Sequence, residues 1–69
     1  MPLSMMNIGV ENKIKKINGK DETRKFLESL GFVVGACVTV ISENAGNMII
    51  SVMDSRIAID KSMASRIMV

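Results

Sequence analysis

The amino-acid sequence predicts a mainly β fold in which five short strands form a small barrel with one short α-helix. Three observations predict it. Aliphatic and polar residues alternate over Cys37 to Ser42 and again over Met48 to Met53, the two-residue period of strands with one buried face. Only Asp21 to Leu30 carries the spacing of a substantial amphipathic helix, and turn-forming residues interrupt the chain at short intervals. At 69 residues the chain suits one domain over residues 1–69, since a chain of this size buries only roughly 60% of its unfolded surface.

Asn12 to Ile17 reads as the first strand, with Ile14 and Ile17 inward. Their three-residue spacing breaks strict alternation and predicts a bulge. Asn18-Gly19 is a turn, and Asp21 is the expected N-cap of the helix, whose stripe is Phe26, Leu27 and Leu30. Gly31 at the position after the cap, followed by Phe32 able to fold back on Leu27, is the pattern of a Schellman ending. Val34-Gly35 suits a type II turn. The strands Cys37 to Ser42 and Met48 to Met53 are joined by a loop over Glu43 to Asn47, with Val38 and Val40 sharing one face and Met48, Ile50 and Val52 another. Asp54-Ser55 makes a tight turn into Arg56 to Ile59, Asp60 to Ser65 one helical turn, and Arg66 to Val69 the closing strand.

Composition bounds the function. A hydrophobic fraction of 48% and a charged fraction of 23% are those of a folded globule. The core has to be aliphatic, because the aromatics are Phe26 and Phe32 alone, both expected to pack, while methionine occurs seven times. A net charge of +2 is modest, although Lys13, Lys15, Lys16, Lys20, Arg24 and Lys25 crowd the first third. One cysteine makes no internal disulfide, which points to a reducing, cytoplasmic compartment. No apolar run has the length of a membrane span, and the first residues lack a signal-peptide pattern.

The chemistry a catalyst needs is missing from the pattern. The chain has no histidine, the usual catalytic base near neutral pH and the commonest transition-metal ligand. Cys37 sits in an alternating strand and reads as a small packed residue. The acids are spread along the chain; Asp54 and Asp60 are the two that the last hairpin could bring together, yet they read better as a turn residue and a helix start. No glycine loop has the lysine and hydroxyl of a phosphate cradle. The expectation is a non-enzyme with no metal, catalytic or cofactor site.

The order of features resembles the FeoA family, the small cytoplasmic component of bacterial ferrous iron uptake. The resemblance runs through Met1-Pro2-Leu3-Ser4 and Gly9, a strand with Ile14 and Ile17, then Arg24-Lys25-Phe26-Leu27 through Leu30-Gly31 to Gly35 and Val38-Thr39-Val40, and closes with Ile57-Ala58-Ile59, Ala64, Ile67 and Val69. Val34 stands where the family often has proline, and Asp54 where it often has glycine in the last hairpin. The resemblance implies an SH3-like β-barrel that binds the FeoB-type membrane GTPase transporter and regulates or assembles it. Arg24, Lys25, Leu30, Phe32 and Val33 are the expected partner contacts, apolar anchors beside an arginine able to pair with carboxylates. Two other readings share the fold: an SH3-like regulatory module of an iron-dependent repressor system, and a small RNA-binding barrel suggested by the lysines. A nucleic-acid partner is not expected, because stacking platforms are lacking. Met5, Met6, Met53, Met63 and Met68 offer apolar surface for self-association into a homo-oligomer.

Overall fold

The computed structural model describes residues 1–69. The strands are β1 (Glu11–Lys13), β2 (Lys16–Ile17), β3 (Cys37–Asn44), β4 (Asn47–Val52), β5 (Ser55–Asp60) and β6 (Ile67–Met68); the helices are α1 (Asp21–Ser29) and the single turn α2 (Lys61–Ala64). One sheet has the order β1-β3-β4-β5, and β2 pairs with β6 in a second. All pairings are antiparallel.

The expected first strand is therefore two strands. At Ile14 and Lys15 the chain leaves one sheet for the other: Ile14 N–H donates to the Ala36 carbonyl at 2.9 Å, and Lys15 N–H to Met68 at 2.8 Å. This break is the physical meaning of the three-residue spacing, because it lets Ile14 and Ile17 both face inward, as they do. The count becomes six strands in two sheets, and the barrel stays open along β5.

Alternation is obeyed along the long strands: Val38, Val40, Met48, Ile50 and Val52 are all buried. They join Leu3, Leu27, Phe32, Ile59, Ala64 and Ile67 in one core cluster, of which Phe32 is the largest fully buried side chain. The first hairpin is tighter than its sequence announces, and the second turns one residue earlier than Asp54-Ser55. Ala45-Gly46 joins β3 to β4, and Met53-Asp54 joins β4 to β5, with φ positive at all four residues, as two-residue turns matched to strand twist require. Extension of β3 to Asn44 needs an irregularity between Val40 and Ser42.

Helix α1 starts one residue earlier than its first acid suggests. Lys20 holds the cap position with extended backbone, and its carbonyl accepts Arg24 N–H at 3.0 Å; Asp21 and Glu22 are in the first turn, where they favour the helix dipole. The far end is a Schellman ending: Phe32 N–H donates to Leu27 and Gly31 N–H to Glu28, both at 3.0 Å, with Gly31 at φ 101°. Helix α2 is capped by Asp60, whose Oδ1 accepts the Met63 N–H and the Ser62 hydroxyl, both at 2.8 Å. An ion pair from Lys61 to Glu43 ties α2 to the β3–β4 hairpin.

Two stability outcomes follow from these ends. Hydrogen bonds from Met63 N–H first, then from Ser62, with attraction from Arg66, hold the Asp60 carboxyl below the ordinary carboxylate range. A folded pKa below the unfolded one stabilises the native state above the unfolded value, and the gain is lost as pH falls through the folded value. Chemical unfolding between about pH 5 and pH 2 is expected to show an acid loss that shrinks in Asp60→Asn, which keeps the cap and removes the titration. In the β4–β5 turn, Asp54→Gly removes the left-handed cost of a non-glycine residue and is expected to raise stability by about 0.5 kcal/mol, the roughly 1–2 kcal/mol of relief less the entropy glycine adds to the unfolded chain.

Candidate interaction surface

The Schellman ending decides which side chains of the central segment face solvent. By reversing the chain at Gly31 it sends Phe32 into the core at 0% exposure and leaves Val33 and Val34 outside. Ala36 N–H then donates to the Val33 carbonyl at 3.0 Å across Val34 and Gly35, with Gly35 at φ 92°, in keeping with the expected type II turn. The β4–β5 turn closes the patch from the other side. A Cβ built on Gly31 would lie 3.4 Å from the Met53 Sδ, so Met53 rests against the end of α1. Phe26 lies one helical turn before Leu30 on the same side of α1.

The result is an exposed apolar surface of Phe26, Leu30, Val33, Val34 and Met53, with Phe26 at 49%, Val34 at 66% and Met53 at 70% exposure. Arg24 and Lys25 are both exposed, on the charged face of α1 with Asp21 and Glu28, about 160° and about 100° round the helix from Phe26. Arg24 approaches Asp21 at 3.9 Å across the helix surface, a loose pair that leaves its guanidinium available. Asp21, Arg24, Lys25 and Glu28 line a depression of about 140 Å³.

Of the expected contacts, Arg24, Lys25 and Val33 are exposed and Leu30 is half-buried, whereas Phe32 is wholly internal and has no surface to give a partner. Phe26 is the residue the sequence reading misplaced. Its stripe with Leu27 and Leu30 pointed inward, but the nine-residue helix buries only Leu27 fully. One more position differs. Cys37 is exposed rather than packed, because burial of Val38 and Val40 turns it to the outer face. There it shares a shallow cleft of about 320 Å³ with Glu11, Thr39, Ser51, Met53 and Asp54. Asp54 and Asp60 do not meet: Asp54 lies in the turn before β5 and Asp60 ends the strand, with the roughly 17 Å rise from Ser55 to Asp60 between them. No three His, Cys, Asp or Glu side chains form a group able to hold a metal. No helix is long and apolar enough to cross a membrane.

The architecture is that of a small SH3-like domain. The chain belongs to the FeoA family: the FeoA domain matches residues 1–69. It is 37% identical over 68 residues to a protein of Methanocaldococcus jannaschii provisionally named Fe(2+) transport protein A, covering 99% of this chain and 83% of that one. A crystal structure of an iron uptake regulatory protein, FeoA, superposes with a TM-score of 0.89 at 38% identity, over 97% of this chain and 91% of its own. FeoA of Stenotrophomonas maltophilia, described as a prokaryotic SH3 domain protein and solved with zinc, superposes at 0.86 with 23% identity, over 99% and 87%. A manganese-dependent transcriptional repressor contains the same fold within a longer chain, with a TM-score of 0.88 at 14% identity over 97% of this chain and 39% of its own.

The two phenylalanines separate cleanly by experiment. Phe32→Ala is expected to cost about 3–5 kcal/mol in chemical unfolding, and Phe26→Ala well under about 1 kcal/mol. Comparable losses would contradict their placement.

Proposed function

We propose that this chain is a non-catalytic accessory protein of ferrous iron uptake that docks onto the cytosolic part of a FeoB-type GTPase transporter through the apolar surface at the end of α1. Membership of the FeoA family supports the transport context. The observation that carries the docking reading is the exposure of Phe26, Val33, Val34 and Met53 about the end of α1, on a helix whose adjoining face carries Arg24 and Lys25. Apolar anchors next to a flexible methionine are the chemistry of protein contact rather than of turnover. Any nucleotide chemistry then belongs to the partner, and the chain acts by regulating or assembling it.

The regulatory-module reading draws on the repressor's shared fold, which speaks to architecture. The RNA reading gains one exposed ring, Phe26, but a single platform supplies stacking of only about 1–3 kcal/mol for one base. The lysines of the first third would add salt-sensitive attraction without sequence preference.

Calorimetric titration against the cytosolic domain of the cognate transporter, with and without guanine nucleotide, tests the proposal. Saturable binding is expected, weakened about tenfold or more by Phe26→Ala or Met53→Ser. Arg24→Glu is expected to weaken it less and to reduce its salt dependence. Absence of binding in every nucleotide state, or binding indifferent to Phe26 and Met53, would overturn the proposal.

A further inference from the structure

The four-stranded sheet has two free edges, and they are not alike. The order β1-β3-β4-β5 leaves the outer sides of β1 and β5 without a neighbouring strand. The β1 edge is three residues long and carries Glu11 and Lys13. The β5 edge runs six residues from Ser55 to Asp60, without proline, glycine or bulge.

The register of the β4–β5 hairpin says which groups that edge presents. A two-residue turn at Met53-Asp54 makes Val52 and Ser55 a hydrogen-bonded pair, and alternation along the ladder gives the same role to Ile50 with Ile57 and to Met48 with Ile59. The backbone groups of Ser55, Ile57 and Ile59 are thus used by β4. Those of Arg56 and Ala58, and the Asp60 N–H, point away from the sheet. Asp60 is the cap of α2, so its carbonyl is directed to that helix.

We propose that β5 is a self-complementary edge to which a second copy of this chain adds antiparallel, about a two-fold axis through Ala58. In this register Ala58 faces the partner's Ala58 and exchanges two backbone hydrogen bonds with it. Arg56 faces the partner's Asp60, whose N–H reaches the Arg56 carbonyl, and the relation repeats on the other side of the axis. Ile57 lies opposite the partner's Ile59. Charge selects this register. A two-fold centred on Arg56 or on Asp60 would set like charges face to face, which is unfavourable across strands. One centred on Ile57 or Ile59 would leave a charge facing alanine.

The charges are free to make the pair. Arg56 and Asp60 take part in neither of the chain's two ion pairs, and Asp60 satisfies its cap through Oδ1, leaving Oδ2 without a hydrogen bond. The outer face agrees. Ile49 is the register neighbour of Ala58 and is 39% exposed, so pairing lines up Ile49, Ala58 and the same two residues of the partner as one apolar strip across an eight-stranded sheet. Alanine at the axis is small enough for two copies to meet there. A single-strand contact lies at the low end of interface sizes, so the dimer depends on concentration. The surface is separate from the one proposed for the transporter.

Sedimentation equilibrium from the micromolar to the millimolar range is expected to show a monomer–dimer equilibrium. Arg56→Glu, which faces the partner's Asp60 with a like charge, is expected to weaken it about tenfold or more. A cross-linking pair fixes the register. In a Cys37→Ser background, which removes the only native thiol, Ala58→Cys is expected to form a disulfide dimer under mild oxidation, since paired Cα atoms about 5.5 Å apart lie within bridging range. Arg56→Cys on the same edge, facing Asp60 instead of itself, is expected to cross-link far less. Circular dichroism confirms that each variant keeps its fold. A monomer at all concentrations, a dimer indifferent to Arg56→Glu, or equal cross-linking of the two cysteine variants would overturn the proposal.

Discussion

Helix α1 ends in the two hydrogen bonds made by Gly31 and Phe32, and the arrangement of the core and of the outer apolar surface both depend on that ending. A residue with a Cβ at φ 101° would be strained, even though that Cβ would meet Met53 only at ordinary contact distance. With glycine there, the chain reverses within one residue. Phe32 enters the core, where full burial of such a side chain contributes about 1.5–3 kcal/mol, a large share of the roughly 0.05–0.15 kcal/mol per residue that keeps a small domain folded. The same reversal turns Val33 and Val34 outward and holds Met53 against the helix end.

The sheets show a comparable economy of means. Two tight turns with positive φ make one continuous β3-β4-β5 meander, and the break at Ile14 and Lys15 lets one segment serve both sheets. Pro2 bridges Met68, and Val69 N–H donates to the Met1 carbonyl at 2.8 Å, so the two ends of the chain lie together beside β6. The longer of the two free edges of the four-stranded sheet is the outer side of β5, and it is there that the self-pairing register arises.

What was legible in the sequence was mostly local. Alternation grouped Val38 with Val40, and Met48 with Ile50 and Val52, and each group is buried, because a two-residue period puts alternate residues on one face; which face of β3 turns inward was not legible, since Cys37 read as packed and is exposed. The Schellman ending was readable from Leu27, Gly31 and Phe32, since it depends on neighbours in sequence. Tertiary facts were less accessible. Phe26 adjoins Leu27 on the same stripe, yet α1 buries Leu27 alone and leaves Phe26 exposed, a choice between flanks of the helix that its own spacing does not make. The sheet switch at Ile14 and the open barrel edge likewise follow from which strands pair, which spacing alone does not encode. Of the residues expected as contacts from the family resemblance, Arg24, Lys25 and Val33 are exposed, whereas Phe32 looked like an anchor for the very reason that makes it core.

The central claim is that the surface grouped by the Gly31 reversal is the one that meets a partner. Amide chemical shifts of the isotope-labelled chain, followed while the cytosolic domain of the transporter is added, test it most directly. The account predicts changes concentrated at Arg24 to Phe26, Val33, Val34 and Met53. Changes confined to the lysine-rich segment from Lys13 to Lys16, with the end of α1 undisturbed, would contradict it.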